Sequence, residues 1–146
     1  MRMYLDICCL KRPFDDLSQT RLRLEAEAVL ALLQAPSERV QFVHAAAQDL
    51  ENSQNPVRTR AERVRRWLDL WTLSQLPEPE VLARTKELMS VGFKNFDSFH
   101  LSSAELSGTE VFVTCDDQLL AKAKSQVGLL RMRVTNPVDL VLEVLR

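Results

Sequence analysis

Short, unbroken apolar runs set between longer segments of helical periodicity constrain this chain most. Met3-Tyr4-Leu5, Val40-Gln41-Phe42-Val43 and Val111-Phe112-Val113-Thr114-Cys115 are the clearest runs. They do not alternate apolar with polar, so they suit strands buried on both faces, as in a parallel sheet covered by helices. The pattern predicts strands over residues 2–6, 39–43, 110–114 and 130–134.

The intervening segments read as helices. Leu22, Ala26, Val29, Leu30 and Leu33 recur at helical spacing over 19–35, with Arg21–Glu25 and Arg23–Glu27 four apart, and Pro36 stops the pattern. A helix is expected over 45–53, and another starting at Asn55-Pro56 with Val57, Ala61, Val64, Leu68 and Trp71 on its apolar side. Further helices are predicted over 79–91, ending before Gly92, over 96–107 with Asn95 as cap, over 116–125, and from Asn136-Pro137 onward. After the first strand a loop is expected through Arg12-Pro13-Phe14-Asp15-Asp16. Strands alternating with helices predict one domain over residues 1–146, of α/β class, with a three-layer α/β/α arrangement around a mainly parallel sheet.

The formal charge of −1 excludes a global basic field, so any nucleic-acid site must be a local patch. An acid at position 6 comes too early for the apolar core of a signal peptide, and no apolar run is long enough to span a bilayer. Three cysteines, two of them adjacent, do not make a disulfide framework. These features lead to an expectation of a cytoplasmic protein with no membrane partner.

Four acids fall at similar structural addresses. Asp6 closes the first apolar run, Glu51 follows the second, Asp97 opens a helical stretch, and Asp116 ends the third run. In open parallel sheets, ligands gather outside the carboxyl ends of the strands at the topological switch point. Carboxylates crowded there repel unless a cation neutralises them, and oxygen-only ligands select Mg²⁺ or Mn²⁺. Such an ion activates water for attack on a phosphodiester. Asp49 and Glu51, two apart on a helix, point in nearly opposite directions, so only one of them faces the site. Taken singly, each acid also reads as an ordinary turn or helix-start residue.

Several blocks then match a known pattern. Tyr4-Leu5-Asp6, Gln48-Asp49-Leu50-Glu51-Asn52, Gly92-Phe93-Lys94-Asn95-Phe96-Asp97-Ser98-Phe99-His100 and Thr114-Cys115-Asp116-Asp117 together resemble the PIN domain, in particular the toxin ribonucleases of bacterial toxin–antitoxin pairs. Cys8-Cys9, Arg12-Pro13-Phe14-Asp15-Asp16-Leu17 and Glu51-Asn52-Ser53-Gln54-Asn55-Pro56 resemble one subgroup of that family. The resemblance implies a Mg²⁺- or Mn²⁺-dependent endoribonuclease, commonly a homodimer neutralised by a small antitoxin. It implies a metal set of Asp6, Asp97 and Asp116 with Glu51. Two departures stand out: Ile7 occupies a position usually polar, and Ala45-Ala46-Ala47 replaces a segment expected to hold a polar residue. Ile7 motivates the alternative of a degenerate PIN domain that binds RNA or protein without cutting.

Other features have plainer readings. Arg12 and Lys94 lie close in sequence to the acids and are candidates for holding the substrate backbone, whereas Arg58, Arg60, Arg63, Arg65 and Arg66 read as a salt-bridged, solvated helix face. His100, three residues after Asp97 and on the same helical side, has two readings: a residue that touches the site, and the more common core histidine bonded to backbone. Cys8, Cys9 and Cys115 read as small buried residues, because adjacent cysteines chelate poorly and no C-x-x-C spacing exists. A haloacid-dehalogenase-type phosphatase would need an aspartate two residues after Asp6, where Cys8 stands.

Overall fold

Strand β1 (Arg2–Leu5) sends Met3 and Leu5 to one side of the sheet and Tyr4 to the other, and all three are fully buried. A computed structural model describes residues 1–145 of the chain, with Arg146 outside the described residues. After β1 come α1 (Ile7–Lys11), a 3-10 turn (Arg12–Phe14), α2 (Thr20–Leu33), β2 (Gln41–Phe42), α3 (Ala46–Ser53) and α4 (Arg58–Leu68). Then follow α5 (Glu78–Ser90), α6 (Asn95–Leu106), β3 (Val111–Val113), α7 (Asp117–Ser125), β4 (Arg133–Thr135) and α8 (Pro137–Val144). Every strand pair is parallel, in the order β2-β1-β3-β4.

Helices cover both faces of this sheet, giving the three-layer α/β/α arrangement expected from the alternating pattern. On one side Met3, Leu5, Val111 and Val113 pack against Val29 and Leu32 of α2, Val64 and Leu68 of α4, and Leu140 of α8. On the other, Tyr4 and Phe112 pack against Leu88 of α5 and Leu101 and Ala104 of α6. Burial on both faces is why these strands read as continuous apolar runs. Pairing of Met3, Tyr4 and Leu5 with Val111, Phe112 and Val113 stacks the Tyr4 and Phe112 rings, with centroids 5.0 Å apart.

Local chemistry sets the element ends. Gly92 takes φ +102°, its N–H bonds to Met89 O and the next N–H, of Phe93, bonds to Leu88 O. This is the left-handed helix ending that favours glycine, and it turns the chain sharply from α5 into α6. Asn136 caps α8 as expected, accepting from Val138 N–H at 2.8 Å.

Some boundaries differ from expectation. Asn55 accepts from Val57 N–H, so it shapes a turn, and α4 begins at Arg58. Asn95 is the first residue of α6, whose cap position is Lys94. α1 occupies residues expected to join β1 to a loop, because the Asp6 carboxylate starts a helix there. β4 begins at Arg133 rather than residue 130: a turn bond from Leu129 N–H to Gln126 O and a bond from Arg131 N–H to Glu105 Oε2 occupy the preceding residues.

Leu101 is fully buried on the helix that carries Asp97. Leu101→Ala is expected to lower unfolding free energy by about 2–5 kcal/mol, through lost transfer energy and the cavity left behind. Urea denaturation of the variant beside the parent chain checks it.

Candidate functional site

β1 pairs with β2 on one side and β3 on the other, so the carboxyl ends of β1 and β3 flank the switch point of the sheet. Asp6 stands directly after β1 and is 6% exposed. Its Oδ1 accepts from Ile7 N–H at 2.9 Å, and its Oδ2 accepts from the Thr114 hydroxyl at 2.8 Å. The Cys8 thiol lies 3.4 Å from the same Oδ2. Asp116 caps α7: its Oδ1 accepts from Gln118 N–H at 2.9 Å and Leu119 N–H at 3.2 Å, so the cap uses a single carboxylate oxygen.

Helices α3 and α6 bring the other two acids. Asp49 and Glu51 do diverge: Asp49 accepts from His44 Nε2 at 2.8 Å, whereas Glu51 Oε1 lies 2.9 Å from His100 Nε2. Asp6, Glu51 and His100 each place a potential ligand atom within 4.8 Å of the others. Asp97, in the first turn of α6, lies within the electrostatic reach of Asp6 and Asp116. The structure therefore brings Asp6 and Glu51 together around His100, while Asp97 and Asp116 lie outside that close group and within range of its charge.

Burial and mutual repulsion govern how these acids ionise. Burial, then the neighbouring Cys8 and Glu51, raises the Asp6 carboxyl well above the usual range, against the opposing pull of His100 and the Thr114 bond. Burial, with the charges of Asp6 and Asp116, pushes Asp97 up to about 6, although His100 and Lys94 pull it down. Such carboxyls favour a proton or a cation over standing charged and alone. The donors are mostly oxygen, which suits a hard divalent ion.

His100 is a positioning residue for this set. Its bonding partners are side chains, not the backbone acceptor expected from sequence: Nδ1 meets the Tyr4 hydroxyl and Nε2 meets Glu51. Burial, with Asp6 as the largest charge contribution, keeps the Tyr4 phenol protonated. Because a carboxylate accepts, Nε2–H donates to Glu51. With both ring nitrogens engaged, the imidazole orients Glu51 rather than binding an ion itself. Burial pulls the His100 pKa down, but the Glu51 bond and the charges of Asp6, Glu51 and Asp97 outweigh it and leave it raised.

Three more residues escaped the sequence pattern. Gln48 is fully buried; its Oε1 accepts from Ala45 N–H at 2.8 Å and its Nε2 donates to Leu5 O at 2.8 Å. This ties the start of α3 to the end of β1 and supplies the polar anchor that the alanines of that segment lack. Thr114 appeared only as part of a motif, with no hint of its bond to Asp6. Lys122 gave no signal at all, yet it lines a cleft of about 160 Å³ with Lys94, Asp97 and Gln118.

The two substrate-backbone candidates part company. Lys94 stays beside Asp97 and donates to Gln118 Oε1 at 2.9 Å. Arg12 is instead engaged inside the fold, with Nη1 2.9 Å from Asp15 and Nε 3.2 Å from Glu25. The arginines of α4 are partly structural too: Arg60 donates to Phe14 O at 3.0 Å, Arg63 lies over the Phe14 ring, and Arg65 pairs with Asp69. A larger cavity of about 770 Å³ between α3 and α4 is lined by Asp49, Asn52, Arg58 and Arg65, not by the four acids. The smaller cleft holds one of the four acids, Asp97, together with two lysines, so the chemistry points there.

Comparison with protein-family models and with curated proteins finds no match to the chain.

In chelator, Asp97 has a folded pKa of about 6, above an unfolded value of roughly 3.9. Ionising it therefore costs stability: the penalty is absent below the unfolded value, grows between the two, and is complete above the folded one. Asp97→Asn is expected to stabilise the chelated chain by about 1–2 kcal/mol near pH 8, after discounting for partial exposure, and by almost nothing near pH 4. Urea midpoints at the two pH values check the sign.

Proposed function

We propose that this chain is a Mg²⁺- or Mn²⁺-dependent endoribonuclease. What supports the proposal is the closeness of Asp6 and Glu51 around His100, with Asp97 under the charges of Asp6 and Asp116 and lining a cleft that bears Lys94 and Lys122; Asp6 and Asp97 both have raised pKa values. Asp6, Asp97 and Asp116 would hold the ion, with Glu51 contributing through His100. When bound, the ion supplies an activated water and charge stabilisation at the phosphodiester. Thr114 holds the Asp6 carboxylate in place, and the cap bonds fix Asp116. Lys94 and Lys122 give the cleft the cations that phosphate positioning requires.

The departure at position 7 carries less weight than its chemistry suggests. Ile7 is 1% exposed and packs in the core with Leu10 and Val113, and it meets Asp6 through its backbone N–H. Polar support for Asp6 comes from Thr114 and Cys8 instead. This favours the catalytic reading over a non-cutting RNA- or protein-binding module.

The motif resemblance extends the proposal to biology. The protein acts in the cytoplasm as the toxin of a toxin–antitoxin pair, as a homodimer bound by a small antitoxin. Among the described residues no helix is long and apolar enough to cross a membrane, which is compatible with that setting.

Purified protein is expected to cleave single-stranded RNA with Mg²⁺ or Mn²⁺ and to stop in chelator. Asp6→Asn and Asp97→Asn should each lower the rate roughly a hundredfold or more, equivalent to about 2.7 kcal/mol of lost transition-state stabilisation. Cleavage that survives unchanged in both variants means a contaminating nuclease and ends the assignment.

His100→Ala is expected to weaken Mn²⁺ binding about 10–100-fold, as loss of an outer-shell orienting group does. Calorimetric titration measures it directly. Unaltered Mn²⁺ affinity in the folded variant would leave His100 a packing residue only.

A further inference from the structure

The three cysteines, expected to be inert core residues, converge. Cys8 and Cys9 lie in the first turns of α1, and Cys115 follows Thr114 beyond β3. Their sulfurs all lie within 4.8 Å of one another, and those of Cys9 and Cys115 are 3.6 Å apart. None of the three is in a disulfide. The Cys115 N–H donates to Cys8 Sγ at 3.3 Å, and the Cys9 thiol donates to Val113 O at 3.4 Å, so backbone contacts hold both partners in place. Cys9 and Cys115 are buried, whereas Cys8 is partly exposed and gives solvent a route in.

Adjacent cysteines project about 100° apart on a helix and make a poor chelate by themselves. Here Cys115 arrives from another segment and completes a three-sulfur set. Sulfur donors select soft ions. Zinc–sulfur bonds of about 2.3 Å place the thiolates of a tetrahedral site roughly 3.8 Å apart, close to the Cys9–Cys115 spacing. Three thiolates around a divalent ion leave one excess negative charge, and the Arg12 guanidinium lies close enough to Cys115 to offset part of it.

We propose that Cys8, Cys9 and Cys115 form a binding site for a soft divalent ion of the zinc and cadmium class, distinct from the carboxylate set. Binding is a proton exchange: three S–H groups release their protons to solvent, three metal–sulfur bonds form, and no electron is transferred. Water reaching the site past Cys8, the partly exposed member, would complete the coordination. The site takes no ligand from the acids of the nuclease set, but it adjoins that set, because the Cys8 thiol donates to Asp6 Oδ2 at 3.4 Å.

The test uses the full chain, reduced under inert gas, with Mg²⁺ in excess to occupy the carboxylates. Cd²⁺ is the probe, because thiolate coordination produces a sulfur-to-metal charge-transfer absorption that oxygen ligands do not. The expected result is saturation at one Cd²⁺ per chain, reversal of the band by competing Zn²⁺, and partial loss of the band with weaker Cd²⁺ binding in Cys8→Ser and Cys115→Ser. Asp97→Asn should keep it. Absence of the band in the folded parent chain overturns the site, and so does a band of unchanged intensity and Cd²⁺ affinity in either cysteine substitution. Should Cys115→Ser fail to fold by circular dichroism, Cys8→Ser, at the partly exposed position, decides the question alone.

Discussion

A single buried hydroxyl, that of Thr114, organises the region on which the candidate chemistry depends. It donates to Asp6 Oδ2 at 2.8 Å and accepts from Asp116 N–H at 3.1 Å. One oxygen therefore sets two of the four acids, which arrive from segments far apart in the chain. The contact is possible because β1 and β3 are adjacent and in register, with Leu5 opposite Val113, so the next residues of both strands emerge side by side. Ile7 and α1 can then turn away from Asp6, and α7 can start at Asp116. Without the hydroxyl, Asp6 would be a buried carboxylate with one fewer donor, a costly state.

Holding these acids together works against stability in the absence of a cation. Asp6 and Asp97 both have raised pKa values, and burial is the largest cause in each case. The core offsets that penalty: two apolar layers, one on each face of the sheet, fix the strands from which the acids emerge. Polar residues within the second layer serve the site as well. Tyr4 stacks on Phe112 through its ring while its hydroxyl meets His100, which in turn holds Glu51. One side chain thus belongs to both the packing and the electrostatics, so substitutions there alter both.

The strands were legible because burial on two faces leaves an unbroken apolar run, and the long helices were legible from their apolar spacing. Asp6, Asp97 and Asp116 stood out because each lies where a run or helix changes, a position that sequence does show. α1 was hidden: five residues are too few for a period, and its start depends on the Asp6 cap. Asn55 and Asn95 misled because asparagine is equally suited to turns, and its side chain follows whichever backbone N–H tertiary packing brings near. Contacts between distant segments lay beyond the pattern altogether. Gln48 to Leu5, His100 to Glu51, and Lys122 beside Asp97 each require two elements to be docked before the partner is known.

The cysteines show the same limit more sharply, and they also define a boundary. Cys8 Sγ lies 3.4 Å from Asp6 Oδ2 and 3.4 Å from Thr114 Oγ1, while Cys115 N–H donates to that sulfur. The residue therefore forms a shared wall between an oxygen-rich neighbourhood and a sulfur-rich one. Hard ions prefer the first and soft ions the second, so the two sets discriminate by donor chemistry although they are neighbours. Because the Cys8 thiol donates directly to Asp6, a charge placed among the sulfurs acts on the carboxylate across one hydrogen bond. A small fold has few rigid positions at the ends of its central strands, and this chain uses the same two strand ends, after Leu5 and after Val113, to build both donor sets.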